Sequence, residues 1–208
     1  MSGRFITLEG GEGVGKSTQL RRVADALARR GIDVVVTREP GGSPGAEAIR
    51  ALLLTGAADR WSARAEALLF AAARADHVER TIRPAIASGR WVLCDRFVDS
   101  SRAYQATGSA LGDDDVMALH RVGSAGLLPD RTLVLALDAD EALARAGDRD
   151  SAGSDRIGGR AADYHDHVAR AFHRIAAAEP ERVRLVDGSG PADSVTDRLV
   201  DALADLLP

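Results

Sequence analysis

Apolar residues fall in short blocks separated by stretches of helical period. Residues 4–9, Arg-Phe-Ile-Thr-Leu-Glu, are rich in β-formers and stop at glycines, which predicts a buried strand. From Lys16 to Arg30, Leu20, Val23, Ala24 and Leu27 recur on one helix face, and Gly31 supplies the stop. Val34-Val35-Val36 predicts a second strand, which runs into the turn-rich Thr37-Arg38-Glu39-Pro40-Gly41-Gly42. Ser43-Pro44 pairs an N-cap with proline at the first helical position and opens a helix through Leu54. Two more helices are expected over 62–80 and 81–88, the latter ending at Gly89. Trp91-Val92-Leu93-Cys94 reads as a third strand, closing on Asp95-Arg96. Asp113 to Asp115 place three carboxylates where a helix dipole favours negative charge. Strands at Thr132–Leu137 and Val183–Val186 and a last helix from Asp193 to Leu207 complete the pattern.

Strands alternating with helices imply an α/β fold with a parallel sheet covered on both faces. The expectation is one doubly wound domain over residues 1–208, built on a five-stranded parallel sheet. One stretch departs from it. Ala146 to Arg160 is rich in Gly, Asp, Ser and Arg and cannot bury itself, so a mobile flap (a LID) is expected there.

Composition narrows the setting. Aromatics make up only 4% of the chain, so Ala, Leu and Val must build most of the core. A net charge of −4 argues against a nucleic-acid footprint. Cys94 is the single cysteine, so no intrachain disulfide can form, and on a buried strand it should behave as a small hydrophobe. No stretch approaches the ~20 apolar residues of a spanning helix, and no leader-like segment opens the chain. A soluble cytoplasmic protein, without nucleic-acid or membrane partners, is the expectation. His77, His120, His165, His167 and His173 show no metal-ligand spacing.

The chemistry sits at Gly10-Gly11-Glu12-Gly13-Val14-Gly15-Lys16-Ser17, followed by Thr18. Gly10, Gly15, Lys16 and Ser17 satisfy the P-loop pattern, with the required strand before and helix after. In such a loop backbone N–H groups turn inward around phosphate oxygens and the helix N-terminus adds a favourable dipole. Lys16 would reach the β- and γ-phosphates, and Ser17 would ligate Mg²⁺. The chain has 26 arginines and one lysine, and that lysine is Lys16, where a compact point charge is needed rather than a planar fork. A GTPase-type Asn-Lys-x-Asp is impossible without a second lysine, and no transporter-type Leu-Ser-Gly-Gly occurs. A kinase of a small phosphorylated acceptor is the leading class. A non-catalytic nucleotide-binding regulator is the alternative.

Four further segments carry a resemblance. Phe5-Ile6-Thr7-Leu8-Glu9-Gly10, Thr37-Arg38-Glu39-Pro40-Gly41-Gly42, Leu69-Phe70-Ala71-Ala72-Ala73-Arg74, and Asp95-Arg96-Phe97 with Ser100-Ser101-x-x-Tyr104-Gln105 together resemble bacterial thymidylate kinase. Their order and spacing fit to about Val186.

The resemblance implies ATP with Mg²⁺ as donor, dTMP as acceptor, dTDP as product, a sheet order of 2-3-1-4-5 and a homodimer. It implies that Phe70 stacks on thymine and Arg74 meets the base edge, with Ser101 and Gln105 completing base recognition. Tyr104 would pack against the deoxyribose, and Glu12 would accept from the 3′-OH. Arg96 would hold the acceptor phosphate, supported by Arg38 and Arg50 in a pocket that includes Pro40. Asp95 would organise the metal. Some members carry arginine beside the P-loop acid, but here that neighbour is Gly13. Members of the other kind supply the cation from the flap, where Arg149 is the first candidate and Arg156 the second.

Overall fold

Five short runs form one parallel sheet, β1, β3 and β4 mostly buried and β2 and β5 more open at its edges: β1 (Phe5–Glu9), β2 (Val34–Arg38), β3 (Trp91–Asp95), β4 (Arg131–Ala136) and β5 (Val183–Asp187). Their order is β2-β3-β1-β4-β5, the order that the resemblance implies. The computed structural model describes residues 2–57, 59–106, 111–138, 141 and 162–208. The expected flap, with Arg149 and Arg156, lies outside the described residues.

Strand alternation divides the core. Ile6, Leu8, Leu93, Leu133 and Leu135 point to one face, where Leu20, Val23 and Leu27 of α1 (Lys16–Ala28) cover them. Val195 and Leu199 of α8 (Ala192–Asp201) close the same layer. Phe5, Val92 and Cys94 point to the other face, against Phe97, Val98 and Ile82. Beyond them, Val134 and Val183 meet α5 (Val98–Tyr104) and α7 (Ala162–Ala178) through Ala103, Val168 and Phe172. Within that second-face cluster Phe5 and Phe97 meet edge to face at 4.8 Å. Among the described residues no helix is long and apolar enough to cross a membrane.

The remaining helices are α2 (Pro44–Leu54), α3 (Ala63–His77), α4 (Arg83–Ala87) and α6 (Asp113–Ser124). The Ser43 hydroxyl accepts from Ala46 N and Pro44 stands in the first turn, as the sequence predicts. Three elements differ from expectation. The helix over 62–80 instead stops at His77, and a π turn, Val78–Ile82, joins it to α4. Pro84 cannot donate a backbone hydrogen bond, and the wider turn before it accommodates that loss. The last helix ends at Asp201 rather than Leu207. Leu203 is buried all the same, so its apolar spacing reflects packing by turns. The short α5 has no strong sequence signal. It is held by Asp99, a buried carboxylate accepting from both Arg182 Nη1 (2.7 Å) and Arg182 Nη2 (2.9 Å).

Candidate functional site

Parallel register brings the strand ends together. Leu8 of β1 pairs with Asp95 of β3, so the loops after both strands open at the carboxyl edge, where open α/β sheets bind ligands. Gly10 turns out of β1 at φ 132°, and a Cβ there would lie 2.6 Å from the Leu135 carbonyl oxygen. Gly15 caps α1 in the left-handed region, and no side chain caps that helix. The Lys16 ammonium donates to the Gly10 (3.1 Å) and Gly11 (2.5 Å) carbonyls. Burial, reinforced by Arg96 nearby, pushes its pKa down to about 8.

Ser17 donates to Asp95 Oδ2 at 3.0 Å. The other carboxylate oxygen, Asp95 Oδ1, is buried with no hydrogen-bond partner among the described residues. A hydroxyl beside a carboxylate with an unsatisfied oxygen is a donor set that suits a hard cation sharing its other positions with water and phosphate.

Arg96 sits just past β3 in a left-handed conformation, φ 68°, uncommon for a side-chain-bearing residue and typical of functional turns. Its Nη1 donates to the Gly10 carbonyl at 3.0 Å and to Ser100 Oγ at 3.1 Å. Its Nη2 pairs with Glu12 at 2.6 Å, and the guanidinium lies 5.0 Å from the Tyr104 ring centre. Tyr104 OH reaches the same Glu12 oxygen at 3.5 Å. Beneath them Glu9 is fully buried and accepts from Phe97 N (2.7 Å) and Ser100 Oγ (2.5 Å). Burial, with Asp99 adding to it, lifts the Glu9 carboxyl to about 8 against the opposing pull of Ser100, Arg96 and Phe97 N.

The second half of the site is a floor and wall of helices. Glu66, Phe70 and Arg74 follow one another at i, i+4 on α3, so they share a face. Phe70 touches both the core cluster around Phe172 and the cavity, so its core role and an exposed ring edge coexist. Arg74 is 3% exposed and therefore no solvated helix charge. Its Nε donates to Glu39 Oε2 (2.8 Å) and its Nη2 to Ser101 Oγ (2.7 Å). Gln105 donates to Glu66 at 3.2 Å. Arg50 donates to the Pro40 carbonyl at 2.6 Å, whereas Arg38 reaches sideways to Glu47, 3.1 Å away on α2.

One cavity of about 390 Å³ gathers these groups. On the loop side Glu12, Gly13, Gly15, Lys16, Ser17 and Asp95 line it. On the helix side so do Arg38, Pro40, Arg50, Phe70 and Arg74, with Arg96, Ser101, Tyr104 and Gln105 closing it. Four sequence-predicted positions stand apart. Gly10 and Gly11 contribute only carbonyls, Val14 is buried in the core cluster, and Thr18 is exposed on α1. Sequence reasoning gave no role to Glu9, Glu39, His77 or Ser100. Glu9, Glu39 and Ser100 lie inside the quoted segments; the signal for Glu9 and Glu39 was an acid at or just past a strand end, and for Ser100 a hydroxyl in the block after β3. His77 gave none.

The profile of the thymidylate kinase family matches residues 8–199. The chain belongs to the thymidylate kinase family. The thymidylate kinase of Rhizorhabdus wittichii is 64% identical over 208 residues, the whole of both chains. That of Bradyrhizobium sp. (strain ORS 278) is 48% identical over 99% of this chain and 91% of its own. The crystal structure of thymidylate kinase from Ehrlichia chaffeensis superposes with a TM-score of 0.77 at 28% identity, covering 98% of this chain and 99% of that one. Thymidylate kinase similarity thus runs through the strands, the loop and the helical wall alike.

Proposed function

We propose that the cavity seats Mg-ATP at the P-loop and dTMP against α3 and α5, and passes the γ-phosphoryl group in line to give dTDP. As a member of the thymidylate kinase family the chain is an enzyme that phosphorylates dTMP with ATP. One observation carries the placement: Lys16 and Arg96, from different loops, donate to the same Gly10 carbonyl oxygen at 3.1 Å and 3.0 Å. Two cations converging on one point, between the loop and the acceptor wall, suit a phosphoryl group held between two substrates.

In this reading the N-terminal amides of α1 and the loop backbone bind the donor phosphates. Lys16 leaves the Gly10 and Gly11 carbonyls to reach phosphate oxygens. Arg96 holds the acceptor phosphate, braced by Ser100 beneath it, with Arg50 and Arg38 as supporting cations. Phe70 and Arg74 form floor and edge for the base, with Ser101 and Gln105 beside them. Tyr104 packs on the sugar, and Glu12 takes its 3′-OH. Ser17 and Asp95 would hold Mg²⁺, which when bound supplies charge neutralisation at the phosphates. Nothing covalent is asked of the protein, since phosphoryl transfer is catalysed by positioning and charge. With no side chain at Gly13, the further cation comes from Arg149, or from Arg156. The chain would act as one domain, in the cytoplasm and as a homodimer.

Chromatography of a mixture of the protein with Mg-ATP and dTMP tests this. ADP and dTDP should form in equal amounts. ATP loss without dTDP would mean a hydrolase, and nucleotide binding without any turnover would mean a regulator.

A further inference from the structure

A largely buried polar chain runs along the acceptor wall. It starts at Thr37 on β2, whose hydroxyl lies 2.7 Å from His77 Nε2. His77, the last residue of α3 and fully buried, meets Glu39 Oε1 through Nδ1 at 3.0 Å. Glu39 Oε2 accepts from Arg74 Nε, and Arg74 Nη2 donates onward to Ser101 Oγ and, at 3.3 Å, to the Phe97 carbonyl. The Phe97 ring also lies 5.3 Å from the guanidinium centre. Both members of the Glu39–Arg74 pair are almost wholly out of water, at 4% and 3% side-chain exposure.

A buried ion pair is costly to desolvate and is a poor device for stability alone. Its geometric effect here is specific. With Nε fixed by Glu39, Nη2 fixed by Ser101 and Phe97, and one face on an aromatic ring, the guanidinium plane cannot turn. Arg74 lines the cavity in that single orientation. Glu39 in turn is held from behind by His77, so its carboxylate cannot rotate away. A fork that recognises a planar ligand edge gives discrimination only when its own plane is fixed.

We infer that Glu39, held by His77, is a positioning residue that orients Arg74 and so sets acceptor-base selectivity. The inference rests on the acceptor reading of Arg74 proposed above. Glu39 also borders the cavity, but both its oxygens are engaged, one by Arg74 and one by His77, so it acts through Arg74. Its loss should therefore fall on the acceptor and spare the nucleotide donor.

Glu39→Gln and Glu39→Ala separate this from a merely structural brace. Glutamine keeps an oxygen for Arg74 Nε and an amide for His77 Nδ1 but gives up the charge; alanine leaves Arg74 unheld. For Glu39→Ala the KM for dTMP should rise roughly 30-fold, and for Glu39→Gln about five- to tenfold, as loss of a charge-assisted hydrogen bond implies. The KM for ATP should stay within about threefold, and the kcat/KM ratio of dTMP over dCMP should fall about tenfold, because orientation at the base edge is what is lost. In an Arg74→Ala background, adding Glu39→Gln should change the dTMP KM by less than about twofold, since residues acting in series are not additive. If Glu39→Gln, which keeps the hydrogen bonds and is the variant to read should alanine not fold, leaves both the dTMP KM and the dTMP:dCMP ratio unchanged, the inference is overturned. So it is if the Glu39 and Arg74 effects multiply. If Arg74→Ala itself leaves the dTMP KM unchanged, the acceptor reading of Arg74 fails first, and the inference with it.

Discussion

Lys16 and Arg96 donate to one carbonyl oxygen, that of Gly10. Both are thus occupied by the protein itself, and Arg96 is further paired with Glu12. In the proposed reading substrate phosphates replace these contacts, and both cations are held where the anions would arrive.

Lys16→Ala should lower kcat by at least about 10²-fold, the scale of losing one charge aimed at the transferring group. Lys16→Arg should not rescue it, because a planar fork does not fit between the Gly10 and Gly11 carbonyls. Steady-state rates at saturating ATP and dTMP check this. Near-normal activity in Lys16→Arg would contradict the point-charge account.

Glu9 gives a pH signature. In the unfolded chain its carboxyl titrates near 4.5, and in the folded protein burial raises it to about 8. Between those values only the folded state keeps the proton, so stability falls as pH rises through the window and levels off above it. Glu9→Gln imitates the protonated form, with an oxygen for Phe97 N and an amide for Ser100. Its melting temperature relative to the parent should therefore climb from pH 5 to pH 8 and then hold constant. Parallel curves would show that Glu9 is ionised throughout.

Asp95→Asn should raise the Mg²⁺ concentration giving half-maximal rate by about tenfold or more, while a chelator should abolish turnover in the parent. Asn keeps an oxygen for Ser17, so the fold is spared. Unchanged Mg²⁺ dependence would remove Asp95 from the metal's surroundings.

The flap arginines carry a prediction of their own. Gly13 cannot neutralise charge building on the transferring group, and Arg96 is committed to the acceptor phosphate in the proposed reading. Arg149→Ala should cost roughly 10²–10³ in kcat with little change in substrate affinity, and Arg156→Ala less. Single-turnover kinetics with dTMP binding followed separately decides it. If both variants stay within about threefold of the parent, the cation comes from elsewhere, with Arg38 and Arg50 next to test.

Much of this was legible before any coordinates. The sheet could be read because each strand is short, apolar and followed by a turn residue, and the P-loop because its glycines and lysine are fixed by phosphate geometry. What escaped was set by tertiary contact. α5 contains Asp99, Ser100 and Ser101, poor helix formers, and forms because Asp99 is clamped by Arg182 from a distant turn. The break at His77 depends on Pro84 seven residues later. Glu39 and His77 are 38 positions apart, and no local pattern reveals that they meet. Arg74 and Phe70 sit at helical spacing that suits core and pocket equally, and only burial beside a cavity distinguishes them.

In the proposed reading this cavity, with its cations on Gly10 and its wall of Phe70, Arg74 and Gln105, takes dTMP in preference to other monophosphates. kcat/KM measured with Mg-ATP across dTMP, dUMP, dCMP, dGMP and AMP tests it most directly. dTMP should lead, dUMP should be a poorer but detectable substrate because a missing methyl is worth only about 1–3 kcal/mol, and the other three should trail far behind. Comparable turnover of AMP and dTMP would contradict the account.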